Sequence, residues 1–287
     1  MRLAFFGTPH LAADCLRALL RRYTVAMAVT NPDAAQGRGR RTAPGPVKEL
    51  ALQAGIPVCQ PGSLPGEVPE ALRLHRIDVN VVVAYGKILP PSVIHLPRLG
   101  SVNLHASLLP RYRGPSPIEA ALMNGDQVTG LTLQLLEETM DTGPVLAQIK
   151  IPLSDDMNAG DLYQKMSEVA PGFLADSLGR YSAGELAPRN QRDEQATYCG
   201  KIRKQDGWID WKEASRGILN RIRALALWPV AFTTLDGTLL RVHRAAPCEV
   251  PAGDGTAGRG PAGVDGGPAG EAANQPDPAP GTVLRMS

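Results

Sequence analysis

The sequence predicts an α/β protein: a Rossmann-like parallel sheet with an added hairpin, followed by a smaller, incomplete β-barrel-like (OB-like) domain. Three observations lead there. Over roughly the first 150 residues, short β-branched apolar runs alternate with amphipathic helical patterns, which is the signature of repeated β-α units. Those runs are apolar at nearly every position, as strands covered on both faces must be. Beyond about residue 205 the chain turns to short strands, two of them joined at Asp236-Gly237, a strong hairpin signal.

The elements follow in order. "RLAFFG" reads as a buried strand, and Thr8-Pro9 opens a helix, with Thr8 as its cap and Pro9 in the first turn. "LAADCLRALLRR" continues as that amphipathic helix. "TVAMAVTN" is a second strand, "GPVKELALQAG" a helix ended by glycine, and "IPVCQ" a third strand. "EVPEALRLHR" is helical, and "DVNVVVAYG" is the most strand-like segment of all. "SVNLH" is a fifth strand and "SPIEAALMNG" the next helix. "TGLTLQLLEE" and "GPVLAQIKIPL" then form two extended strands with a short turn between them, a hairpin at the sheet edge. A long helix around "DLYQKMSEVAPGFLADSLGRY" closes the first domain, assigned to 1–183.

Residues 184–204 are polar and irregular and read as a linker. The second domain, 205–287, begins with a helix over "WIDWKEASRGILNRIRALA" and continues as the hairpin of "VAFTTLDGTLLRVHRAA". Residues 251–280 are almost entirely Ala, Gly, Pro and Asp, too little apolar surface to offset ordering, so disorder is expected there. "GTVLRMS" is one more strand, and a single strand does not complete a barrel, so this domain reads as truncated.

Bulk properties are those of an ordinary globular protein, with 43% hydrophobic and 20% charged residues and a net charge of +2. Cys15, Cys59, Cys199 and Cys248 are scattered and none has a histidine at metal-ligand spacing, so neither a zinc site nor a disulfide framework is expected. The N-terminus carries no signal-peptide pattern and no apolar run has membrane-spanning length. A reduced, cytoplasmic protein is the expectation.

Several motifs carry chemistry. Gly7 sits at the first strand-to-helix turn, but one glycine followed by Thr-Pro does not provide the close backbone approach of a dinucleotide fingerprint. "AAQGRGRR" places Arg38, Arg40 and Arg41 between the second strand and second helix. Such a run is either a solvated loop or a set of phosphate contacts for a nucleic acid. Within "NLHASLLPRYRG", Asn103 has an amide donor that can steady an oxyanion. His105, two residues on, shares its face of the strand and can move protons near neutral pH. In the later "ETMDTGP", Asp141 lies in the hairpin turn, where a carboxylate reaching the histidine would hold its tautomer. No base is placed beside Ser107 or Ser116, so the set fits direct acyl transfer better than a covalent intermediate.

The segments "FFGTP", "GRGRR…PGPVKELA", "VVVAYGKILP", "GSVNLHASLLPRYRGPSPI", "ETMDTGPV", "GWIDW" and "WPVAFT" fall in order over residues 1 to about 245. With them the chain resembles the 10-formyltetrahydrofolate-dependent formyltransferases. The arginine loop, "PVKELA" and "WPVAFT" resemble the branch that acts on tRNA. The resemblance implies that Asn103, His105 and Asp141 are catalytic. It implies a formyl donor, 10-formyltetrahydrofolate, lying across the sheet's carboxyl end against Val83, Ala84, Tyr85, Gly86, Ile88, Leu89, Ser107, Leu108, Leu109, Pro110, Thr139 and Met140. It further implies that Arg38, Arg40 and Arg41 meet a charged initiator tRNA, that no metal is needed, and that the protein works as a monomer away from membranes. After "GTP" the family carries an acidic residue and a Phe where this chain has His10 and Leu11, which bears on the methionine pocket. Two alternatives stand beside this: formyl transfer to a small amine, such as an aminosugar nucleotide or glycinamide ribonucleotide, or a truncated remnant that binds folate without turnover.

Overall fold

A computed structural model describes residues 1–36, 41–247 and 284–286. Arg38 and Arg40 lie outside the described residues, as does the Ala/Gly/Pro-rich stretch at 251–280.

The first domain is built on a seven-stranded sheet. Its strands are β1 (Arg2–Gly7), β2 (Thr24–Val29), β5 (Val58–Cys59), β6 (Val79–Val83), β7 (Ser101–His105), β8 (Val128–Leu135) and β9 (Val145–Pro152), in the spatial order β5-β2-β1-β6-β7-β8-β9. β5, β2, β1, β6 and β7 run parallel, whereas β8 and β9 are the antiparallel hairpin expected at the edge. Helices lie on both faces. α1 (His10–Leu20) and α6 (Ala159–Ser182) cover one, and α3 (Leu64–Leu74) with the short α4 (Pro91–Ile94) covers the other. The alternation of β1 explains its uniform apolarity: Leu3 and Phe5 point into the α1/α6 core, while Ala4 and Phe6 point into the α3/α4 core.

Helix ends follow local chemistry with one departure. Asn158 caps α6, accepting from the backbone N–H of Gly160 and Asp161, while the Asp161 carboxylate accepts from the Asn158 N–H. At α1 the cap position is Pro9, not Thr8 as the sequence predicts. The Thr8 hydroxyl instead accepts from the Asn31 side-chain amide at 3.1 Å, tying the first turn to the end of β2. Gly7 has a steric reason. A Cβ there would sit 2.7 Å from the Ala12 side chain and 2.8 Å from the Val83 carbonyl, so glycine permits α1 to pack directly on the strand ends.

One strand pair has no counterpart in the sequence reading. The arginine loop contains a small antiparallel pair, β3 (Ala34–Gln36) with β4 (Arg41–Ala43), and Arg41 opens the second of these strands. Its base is fixed by Lys48, which donates to the Asp33 carboxylate and to Gln60, so that the Asp33 carboxyl lies below the ordinary carboxylate range. The helix α2 (Pro46–Gln53) follows directly.

The helix expected over 208–226 is shorter: α7 spans Ser215–Ala224. Residues 208–210 are paired or irregular instead, and 211–213 form a turn. Ile209 is buried and its N–H bonds to the Phe232 carbonyl, while Trp208 and Trp211 stay half-exposed; pairing with β10 (Ala231–Leu235) overrides helical periodicity. β10 and β11 (Thr238–Val242) form the predicted hairpin, with Asp236 at φ 48° and Gly237 at φ 77° as its two-residue turn. β12 (Ala245–Pro247) pairs antiparallel with β13 (Leu284–Met286). The buried Arg223 of α7 reaches back to the first domain, donating to the carbonyls of Ser154 and Asp155.

Phe5→Ala would remove a fully buried ring from the α1/α6 core and should cost about 3–5 kcal/mol of stability. The midpoint of urea unfolding measures it; a shift too small to resolve would mean that this core is not what holds the sheet.

Candidate active site

The site forms on one face of β7 and β8, towards the carboxyl end of β7. β7 sends Asn103 and His105 out on one face, and β8 runs antiparallel beside it with Gln134 paired to Asn103 and Thr132 paired to His105. The β8–β9 turn then folds back so that Asp141 meets the histidine. The Nδ1 of His105 lies 3.6 Å from Asp141 Oδ1, and both residues are buried, at 6% and 9% exposure. The other ring nitrogen, Nε2, is 2.9 Å from the carbonyl of Tyr112. A carbonyl only accepts, so Nε2 carries hydrogen, and a proton taken up at Nδ1 would be received by the facing carboxylate.

Asp141 itself is tightly held. Its Oδ2 accepts from the backbone N–H of Gly114 at 2.9 Å, and its Oδ1 accepts from the side-chain amide of the fully buried Gln134, also at 2.9 Å. The residue adopts a left-handed backbone at φ 56°, and Tyr112 does so at φ 58°, so both partners of the imidazole sit on strained turns. Gly143 is required here: a Cβ would fall 1.9 Å from the Leu135 carbonyl.

The loop after His105 is pinned from the neighbouring strands. Thr132 donates to the Ser107 carbonyl and accepts from the Leu109 N–H, while Gln148 donates to the Leu109 carbonyl. The Tyr112 hydroxyl bonds to Asp126, and Arg111 pairs with the same carboxylate. Asn103 is half-buried, and among the described residues its amide makes no hydrogen bond, which leaves it available to a bound group.

The residues expected to meet the formyl donor divide by exposure. Ala84, Gly86 and Ile88 are exposed beyond the end of β6, and Thr139 and Met140 in the β8–β9 turn, with Ile88 and Met140 presenting apolar side chains at 71% and 49%. Leu108 and Pro110 are half-buried; Val83, Leu89 and Leu109 are buried. Two side chains face elsewhere. The Tyr85 ring packs edge-on against Phe6, burial pushes the pKa of its hydroxyl up to about 12, and its carbonyl accepts from the Asn31 side-chain amide. Ser107 is buried and donates to the Arg111 carbonyl, so it braces the loop.

Gln134, Thr132 and Gln191 do not stand out in the sequence as site residues. Gln134 and Thr132 leave a trace there, being polar residues two apart in an otherwise apolar strand; Gln191, in a stretch that reads as linker, leaves none. Two open clefts of about 330 Å³ each lie beside the site, along α5 (Pro117–Met123), lined by Ser116, Lys201 and Ile202 and, in one of them, Trp228. No group of three or more His, Cys, Asp or Glu among the described residues could hold a metal ion. No helix among them is long and apolar enough to cross a membrane.

Comparison with known proteins places this geometry. The formyl transferase pattern matches residues 1–178, and the C-terminal domain of formyl transferases matches residues 201–285. A methionyl-tRNA formyltransferase of Methylococcus capsulatus is 44% identical over 247 residues, covering 85% of this chain and 80% of that one. Another, from Caldanaerobacter subterraneus, is 42% identical over 252 residues, covering 87% and 82%. Among solved structures, an N-formyltransferase from Helicobacter canadensis, in complex with folinic acid and dTDP-3-aminofucose, has the same fold. Its TM-score is 0.68, with 19% identity, over 88% of this chain and 89% of that one. With a family match over most of its length and relatives above 40% identity, the chain belongs to the formyl transferase family and is a formyl-transferring enzyme.

Proposed function

We propose that the enzyme transfers a formyl group from 10-formyltetrahydrofolate to the α-amine of methionyl initiator tRNA, the formylation that precedes translation initiation. The observation that carries this is the placement of His105 against Asp141, with the unengaged amide of Asn103 on the same strand face. The acceptor follows from the relatives, which at 41–44% identity are methionyl-tRNA formyltransferases, whereas the sugar-acting enzyme shares only the fold. That difference favours tRNA over a small amine.

The folate supplies the formyl group on its N10. The exposed Ile88 and Met140, with the open backbone of Ala84 and Gly86, suit a flat, largely apolar ring at the strand ends. As the α-amine attacks the formyl carbon, Asn103 donates its amide hydrogen to the oxygen on which negative charge develops. His105 takes the proton that the amine must lose, through Nδ1, and Asp141 stabilises the charged ring. Asp141 can do so without moving, because Gly114 and Gln134 already hold it. The tetrahedral centre then collapses: the bond from the formyl carbon to N10 breaks, the proton passes to N10, and tetrahydrofolate leaves the formylated amine behind. Arg38, Arg40 and Arg41 would meet the phosphates of the acceptor end. Residues 1–183 form the catalytic unit in this reading, 184–204 join it to the rest, and 205–287 help hold the tRNA.

Asn103→Ala should lower kcat for charged initiator tRNA by about 10²–10³. Single-turnover formylation with 10-formyltetrahydrofolate measures it, and a rate equal to wild type would remove Asn103 from the mechanism. Asp141→Asn and His105→Ala should each cost roughly 10²–10⁴ in the same assay. The triple change of Arg38, Arg40 and Arg41 to Ala should raise KM for tRNA and flatten its salt dependence by about 0.7–0.9 in log–log slope per lost phosphate contact. An unaltered slope would separate the loop from the tRNA and bring back a small amine acceptor.

A further inference from the structure

The segment 184–200, which reads as a linker, lies against the active-site loops as a strap. Arg189 pairs with Val145 at the start of β9, and Tyr198 pairs with Arg113 in the loop that follows His105. Between these two anchors, Gln191 reaches under the Asp141 turn. Its amide nitrogen donates to the carbonyls of Asp141 and Gly143, both at 2.8 Å, so it grips the turn on either side of Thr142. Its amide oxygen accepts from Arg113 Nε at 3.1 Å and Nη2 at 3.0 Å. Both donor hydrogens and both acceptor lone pairs of one side chain are therefore engaged.

The two loops joined in this way carry the two partners of His105. Arg113 is 2% exposed and follows Tyr112, whose carbonyl accepts from Nε2; Asp141 faces Nδ1. The same Arg113 guanidinium also pairs with the exposed Asp193 of the strap. Without Gln191, the Asp141 and Gly143 carbonyls lose their shared donor, and the left-handed turn loses the bond that opposes its relaxation. The carboxylate would then drift from a histidine it already meets at 3.6 Å.

We propose that Gln191, held by Arg113, is a positioning residue for formyl transfer: it sets the Asp141 carboxylate against His105 from outside the strands that bear the chemistry. The inference rests on the proposed roles of His105 and Asp141. Gln191→Glu keeps the length and the pairing with Arg113 but removes both donors; Gln191→Met keeps the volume without introducing charge. In the full chain, each should lower kcat by about tenfold to a hundredfold, with KM for tRNA and for folate nearly unchanged. Because Gln191 acts through Asp141, adding either change to Asp141→Asn should slow that variant no further.

The outcomes separate cleanly. If Asp141→Asn turns over at the wild-type rate, the active-site reading fails whatever Gln191 does. If Asp141→Asn is slow while the Gln191 variants match wild type, the positioning role is overturned. It is equally overturned if the losses multiply in the double variants, which is the mark of a general structural defect. Thermal melting followed by circular dichroism identifies a variant that does not fold, and the kinetics of the other substitution then decide.

Discussion

The buried contact between His105 and Asp141 requires both groups to be held by partners whose own positions are fixed, and much of the surrounding structure supplies them. His105 stands at the end of a parallel strand, with one ring nitrogen against a backbone carbonyl and the other against a carboxylate. Neither partner comes from a regular element. The carbonyl belongs to Tyr112 and the carboxylate to Asp141, both in left-handed conformations that cost energy in isolation. The surrounding bonds counter that cost: Gly114 and Gln134 on the carboxylate, Thr197 on the Tyr112 N–H, and Gln191 on the carbonyls of the Asp141 turn. The antiparallel hairpin brings the carboxylate here: β8 runs from beside His105 back to Val102, and its turn then folds over the face that bears Asn103 and His105.

The sheet is legible in the sequence because burial on two faces leaves a strong mark. Val79 to Val83 and Leu3 to Phe6 are apolar at almost every position, and nothing but a covered strand tolerates that. Asn103, His105 and Asp141 stand out for the opposite reason, as polar groups where strands give out. The positions expected to face folate come from the resemblance, and of these the Tyr85 ring and the Ser107 hydroxyl turn inward. What composition and periodicity do not show are contacts between distant segments. Ile209 pairs with Phe232 rather than joining α7, and Thr8 accepts from Asn31 rather than capping α1. Gln191 lies in polar sequence that offers no period, and only the fold gives it a destination.

One close crossing carries a consequence for where the chain tolerates change. At Gly114, with φ 124°, a Cβ would lie 2.1 Å from the Cys199 carbonyl, so the histidine loop and the strap touch backbone to backbone. Cys199 in turn donates its N–H to the Arg113 carbonyl. The segment that braces His105 and Asp141 thus follows both of them in the chain. Any cut or insertion between residues 184 and 199 therefore bears on a corner whose own residues lie some way upstream.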